Sequence, residues 1–340
     1  METLVAMGAK TVNIVPTIKF TALSKTEPIS FCYQKNTCEA MTQELIVEIE
    51  NKLLECSVIA AEAGVNLSFV PHLDDGEGKG LWRNNLVFDP LKKYQGFSYK
   101  EIILDPIKRI IQKVNHNNLS IDFAFQGEMG ATVFHYPESY SSIYKDFKKV
   151  LSENVEVGIS INFNDVGGRG FKYSRSQRKK VQRLLNRIDF LGMSAYHPVE
   201  LEMQKHFSFS VDKFIHELKK EKLTLPLHTP IHFSEVGLGG GTRRNDGRTM
   251  AQNPQQLLAA PYAGIYGQSD QDNNPWVNTE NSQVRLLFYK ELIHFVNANE
   301  GKYNITRAFI WNSDSWDIFG IYPGTLGYAD REIMNLVIDQ

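Results

Sequence analysis

Three cysteines in 340 residues are too few for a disulfide framework. Cys32 and Cys38 lie in one loop-like stretch. They either pair in an oxidising compartment or stay as two free thiols. Cys56 sits in an apolar helical pattern and reads as a core residue. Long apolar runs are also missing: none reaches the roughly 20 residues that span a bilayer. Residues 1–10 lack both a basic start and an apolar run, so no signal peptide is visible. Neither sign of charge dominates. With 37 basic and 39 acidic residues the net charge is -2, which excludes a global field that would recruit nucleic acid. The basic run 175–183 (RSQRKKVQR) reads as the solvated face of a helix. What is present is an ordinary globular composition, 42% hydrophobic and 22% charged, in a chain long enough to bury a core without staples.

Short β-rich runs alternate with helical patterns along the whole length. The runs are 11–16 (TVNIVP), 65–70 (VNLSFV), 119–125 (LSIDFAF), 155–163 (VEVGISINF), 188–196 (IDFLGMSAY), 230–236 (PIHFSEV) and 305–311 (ITRAFIW). Each is apolar enough to be buried on both faces. Between them, 41–63, 99–114, 139–151, 174–187, 210–222 and 282–298 carry apolar residues at helical spacing, and 330–338 reads as a closing helix. Strand and helix in this alternation mean parallel pairing with right-handed crossovers. The expected fold is therefore a single-domain (β/α)8 TIM barrel over 1–340. Seven strands are visible where such a barrel needs eight. Residues 4–10 read as the tail of a helix running into strand 11–16, so the absent strand is expected to be the first. A secretion signal lost with it would leave localisation open. The segments 17–40, 71–98 and 237–281 are too long for simple connectors. All follow strands, so they are expected to form binding loops on the C-terminal face.

Two strand ends carry a carboxylate. Glu128 stands in Phe125-Gln126-Gly127-Glu128-Met129-Gly130, and Glu235 in Phe233-Ser234-Glu235-Val236-Gly237. With the absent strand counted first, Glu128 follows strand four and Glu235 strand seven. A glycosidase needs one carboxylic acid to protonate the leaving oxygen and one carboxylate near the anomeric carbon. A separation of about 5–5.5 Å between them gives retention, and about 6.5–9.5 Å inversion.

This pattern resembles clan A of the glycoside hydrolases, retaining barrel enzymes with an acid/base Glu after strand four and a nucleophilic Glu after strand seven. The resemblance makes Glu128 the acid/base and Glu235 the nucleophile. Tyr196 ends strand six, where clan members often place a tyrosine that hydrogen-bonds the nucleophile. Trp311 ends strand eight, where many place a tryptophan under the sugar. Pro71-His72-Leu73-Asp74 with Leu81-Trp82-Arg83 resembles the loop after strand three of the family 113 β-mannanases. The run from Asp189 to Pro198 (DFLGMSAYHP) and the SEVG motif are similar to that family too. One departure stands out. Many clan members carry Asn before the acid/base, where it binds the sugar 2-hydroxyl, and here Gly127 holds that place. Gln126, Asn162 and Asn164 are the candidates to supply the contact.

The resemblance implies an oligo- or polysaccharide substrate, with β-mannan or a related β-linked saccharide in first place, and no cofactor. His72, Asp74, Arg83, Asn162 and His197 are then expected to bind sugar hydroxyls or orient the carboxylates. Trp82, Trp276, Tyr262 and Tyr266 lie in long loops and offer flat faces for a pyranose, while Trp316 reads equally as packing. Two other readings use the same residues. One is a carbohydrate-binding barrel that has lost its chemistry. The other is a metal-dependent hydrolase or sugar isomerase, with His72, Asp74, Asp75 or His197 beside Glu128 and Glu235. No His-x-His or His-x-x-x-His pair supports the metal. The stretches 167–170 (GGRG) and 237–241 (GLGGG) match no phosphate-loop fingerprint and read as turns, the second able to bring backbone close to a ligand beside Glu235.

Overall fold

The structure is a computed structural model and describes residues 1–24, 27–33, 38–115, 119–200, 202–242, 249–298 and 302–338. The chain forms two compact units, Met1–Met193 with Ile215–Pro230, and Ser194–Phe214 with Ile231–Gln340.

The first unit opens with helix α1 (Glu2–Ala6) and strand β1 (Thr11–Ile14). The chain then builds a small second sheet from β2 (Thr17–Ala22), β3 (Pro28–Tyr33) and β4 (Glu39–Ala40) before helix α2 (Gln43–Glu62). The Thr42 side chain caps α2 by accepting from the Leu45 amide. Strand β5 (Asn66–Phe69) runs parallel to β1, and β6 (His72–Asp75) follows at once, turning away to join β2 in parallel. A short hairpin, β7 (Lys93–Tyr94) with β8 (Phe97–Ser98), leads into a π-helical turn and α3 (Asp105–Val114). Next come β9 (Ile121–Gly127), α4 (Gly130–His135), α5 (Pro137–Lys148), β10 (Val155–Asn162), α6 (Arg175–Leu185) and β11 (Phe190–Ala195). Ser174 and Gln177 form a reciprocal capping box on α6. All seven residues of β9 are buried, which is what an apolar run covered on both faces should give.

The second unit holds the end of β11 and most of α7 (Met203–Lys220). It continues with β12 (Ile231–Val236), α8 (Pro254–Ala259), α9 (Thr279–Ala298), β13 (Ile305–Ile310) and α10 (Arg331–Ile338). Strands β12 and β13 pair in parallel. The seven parallel strands stand in the sheet in chain order, β1-β5-β9-β10-β11-β12-β13, with helices between successive strands. That order and alternation are those of the (β/α)8 TIM barrel. Among the described residues no helix is long and apolar enough to cross a membrane.

The expectation that 17–40 and 71–98 are irregular loops needs correction, because they fold into the sheet β4-β3-β2-β6 and the β7–β8 hairpin. Ile18, Phe20 and Ala22 alternate inward along β2, the period of a half-buried strand. Phe31, Phe88, Tyr94 and Tyr99 pack edge to face or tilted at 5.6–6.3 Å between ring centroids. The Tyr99 hydroxyl donates to the Phe125 carbonyl at 3.0 Å, tying this excursion to the end of β9.

Cys32 and Cys38 form a disulfide between β3 and the chain entering β4, with their Cα atoms 5.1 Å apart. Its short loop gives an expected stabilisation of about 2 kcal/mol through the unfolded state. Cys32→Ser/Cys38→Ser should lower the urea midpoint accordingly, and dithiothreitol should do the same to the wild type. A midpoint indifferent to both would show that the bridge does not form.

Candidate active site

In the first unit, β9 ends in a tight turn that presents Glu128. The residue adopts φ +57, a left-handed conformation unusual for a side chain other than glycine, and is only 7% exposed. Three backbone and side-chain bonds hold it there. The Gly127 amide donates to the Pro71 carbonyl at 2.9 Å, and the Glu128 amide to the Ser160 carbonyl at 3.0 Å. The Met129 amide donates to Gln126 Oε1 at 2.5 Å, so a buried glutamine closes the turn from within. Gln126 is thus a turn-former through its Oε1.

Both carboxylate oxygens of Glu128 accept hydrogen bonds. Asn162 Nδ2, at the end of β10, donates to Oε1 at 2.5 Å, and Arg83 Nη2 donates to Oε2 at 3.1 Å. Arg83 Nη1 donates to Asp74 Oδ1 at 2.6 Å. Lys19 lies across the β2–β6 pairing from Asp74, with Nζ 3.8 Å from Oδ2. The backbone amide of Asn164 donates to Asn162 Oδ1 at 3.1 Å, which fixes the orientation of that amide. Trp82 is half-buried at the head of the 3-10 turn that carries Arg83.

His72 explains the glycine at 127. A β-carbon built on Gly127 would overlap the imidazole at Cδ2 and Nε2 and come to 3.0 Å from Val70 Cγ1. The ring therefore fills the space that a side chain at 127 would need. Burial first, and then the Arg83 charge, push the His72 pKa down to about 3, so the imidazole is neutral at ordinary pH.

Sequence reasoning missed Asn84. It is fully buried, its Oδ1 accepts from the Gly130 amide at 2.8 Å and its Nδ2 donates to the Asp165 carbonyl at 2.9 Å. Asp75 accepts from the amides of Glu77 and Leu81 at 2.9 and 3.1 Å. Asp75 thus folds the segment between Asp74 and Arg83, and Asn84 ties its far end to Gly130 and Asp165. The signal was the polar Asn84-Asn85 pair directly after Trp82-Arg83, where a buried amide has to find partners. Among the described residues, His72, Asp74, Asp75 and Glu128 do not bring three ligand atoms within 4.8 Å of one another.

In the second unit, Glu235 lies near the end of β12 and is 6% exposed. The buried Tyr196 hydroxyl donates to its Oε2 at 3.2 Å. Trp311 is half-buried just past β13, and its amide donates to the Val236 carbonyl at 2.9 Å. His197 follows Tyr196 and is buried. Burial, and then the charges of His206 and Lys213, push its pKa down to about 4.

Trp276 stands apart from these residues in role. It is 9% exposed, its Nε1 donates to the Ser315 carbonyl at 2.9 Å, and the Arg285 guanidinium covers the ring at 4.2 Å. That is a packing residue, and the expected sugar contact is not supported by its surroundings. Trp316 is likewise core. The glycines at 237, 239 and 264 are spaces for its indole. The glycines of 237–241 therefore serve packing, and Gly239 and Gly241 also lie against Ala263. Tyr262 and Tyr266 are exposed.

No protein-family model matches the chain, and no curated protein matches it. Solved structures do. A GH113 β-1,4-mannanase solved as a complex superposes with a TM-score of 0.55 at 13% identity, over 100% of this chain and 92% of that one. The GH113 β-mannanase AaManA from Alicyclobacillus acidocaldarius, in complex with ManMIm, gives 0.54 at 12% identity, over 99% and 88%. The barrel fold is shared with these mannanases. At such identity the likeness is one of fold, and the chemistry has to be argued from this chain's own residues.

Proposed function

We propose that this chain is a retaining glycoside hydrolase of clan A type, one catalytic domain acting on β-linked saccharides, with β-mannan or a related glycan as substrate. The observation that carries the reading is the placement of the two carboxylates. Glu128 directly follows β9 and Glu235 lies near the end of β12, each is more than nine-tenths buried, and each accepts hydrogen bonds from fixed donors. Surface carboxylates do not look like this. A buried carboxylate set by Asn, Arg or Tyr donors is preorganised for work on a bound substrate.

In this reading Glu128 protonates the glycosidic oxygen as Glu235 attacks the anomeric carbon. Tyr196 keeps the Glu235 carboxylate aimed. Glu128 then takes a proton from water, which releases the sugar with its configuration kept. Trp311 offers its half-buried face to the pyranose, and His72 and His197 are neutral partners for hydroxyls. The Cys32–Cys38 disulfide suits an oxidising compartment, in keeping with secretion.

The test is stereochemical. Proton NMR of the hydrolysis of an aryl β-mannobioside should show the β-anomer appearing first, before mutarotation. First appearance of the α-anomer would overturn the two-step mechanism. Saccharide binding by calorimetry with no hydrolysis of mannan, cellulose or aryl glycosides would favour a binding barrel instead.

A further inference from the structure

Arg83 raises a chemical difficulty for the role given to Glu128. A guanidinium against a carboxylate favours the charged form, whereas a general acid has to hold a proton before it can give one. The geometry contains an answer. Arg83 is divided: Nη1 reaches Asp74 at 2.6 Å, while Nη2 reaches Glu128 at the longer distance of 3.1 Å. Asp74 is itself fixed, because β6 pairs with β2 in a register that sets Lys19 opposite it, 3.8 Å from its other oxygen. The small sheet thus places a competing carboxylate, with its own restraint, on the far side of the guanidinium.

We propose that Asp74 is a positioning residue that acts on Glu128 through Arg83. By holding the guanidinium through the shorter bond, Asp74 keeps Arg83 from closing fully on Oε2 of Glu128, the acid in the first step. The Glu128 O–H bond then breaks, the proton passes to the glycosidic oxygen, and the anomeric C–O bond cleaves with its electron pair going to the leaving group as a Glu235 oxygen bonds to the anomeric carbon. The Glu128 carboxylate so formed keeps the Asn162 hydrogen bond on Oε1. Asp74 needs no contact with the sugar. This inference rests on Glu128 being the acid/base.

The dependence of rate on leaving group separates this role from a structural one. For aryl β-mannosides and aryl β-glucosides running from 2,4-dinitrophenyl to phenyl, kcat/KM reports the first bond cleavage. A phenoxide leaves only with acid assistance, and a dinitrophenoxide leaves without it. In Asp74→Asn the guanidinium loses its competing charge and commits to Glu128. The phenyl substrate should lose about 10²-fold, the size of a general-acid contribution, and the dinitrophenyl substrate should change by less than about threefold. Removing the guanidinium as well, in Asp74→Asn/Arg83→Met, should recover much of the phenyl loss. Equal losses across the series, no loss at all, or a double variant no better than Asp74→Asn would each overturn the proposal. If that happens while Glu128→Gln still abolishes phenyl cleavage, only the role of Asp74 has failed. Wild-type protein that cleaves no member of either series would overturn the glycosidase reading and this inference together.

Discussion

Glu235→Ala should lose hydrolysis of every aryl β-glycoside it normally cleaves, by on the order of 10⁵-fold, as expected when a nucleophile that acts with a partner is removed. Glu128→Ala should behave differently. Its loss should follow the leaving group, about 10²–10⁴-fold for phenyl and small for 2,4-dinitrophenyl, because only the poor leaving group needs the proton. Azide should then restore turnover in Glu128→Ala, since a small anion needs no general base, and the product should be the β-glycosyl azide. Steady-state kinetics with both substrates, read beside thermal melts of each variant, gives the result. Unchanged turnover in Glu235→Ala, or losses in Glu128→Ala that ignore the leaving group, would remove the assignment of roles. The contrast is demanding because both residues are buried and both accept hydrogen bonds in the resting structure. A merely structural carboxylate would cost stability on removal and would not discriminate between leaving groups.

The barrel was readable because its central strands are buried along their whole length. Runs such as 121–127 and 231–236 are buried at every residue, although Asp122, Gln126, His232 and Ser234 stand at alternate positions, and each of the seven expected strands is found within two residues at its start. The small sheet was harder. Its register depends on β2 meeting β6, far along the chain, and no local pattern states that meeting. The alternation in TIKFTA was the trace it left. Site residues divide the same way. Glu128, Glu235 and Tyr196 announce themselves by standing at the ends of apolar strands. Gln126 and Asn84 act through backbone amides that only the folded turn brings near them. A tryptophan in a long polar stretch suggests a sugar platform, whereas the local pattern around Trp276 gives no sign of Arg285, from a helix, lying over its ring.

Gly127 carries the second large expectation, since it marks where this chain departs from the clan it resembles. Gly127→Asn would restore the residue common before the acid/base, yet the His72 ring already occupies the space for its β-carbon. Overpacking of this kind costs about 1–3 kcal/mol. Displacement of the Glu128 turn by even about 1 Å should lower kcat/KM by roughly 10²-fold. The same substitution should be tolerated once the ring is gone. His72→Ala/Gly127→Asn should be more stable than the two single losses added together predict, with a coupling of about 2 kcal/mol in urea unfolding. Additive losses would mean that the two residues are independent and that the glycine has another cause. The imidazole also leaves a signature in acid. Its folded pKa is pushed down to about 3 from an ordinary 6.5, so below pH 6.5 the unfolded chain binds a proton that the folded chain refuses. Stability should fall as the pH drops from 6.5 towards 3, and His72→Ala should flatten that part of the curve. The coupling is a packing measurement that needs no substrate, so it tests the His72–Gly127 fit whether or not the glycosidase reading holds. If the fit holds and the double variant also recovers activity, the introduced asparagine amide will be making the hydroxyl contact that the proposed function gives to the His72 imidazole.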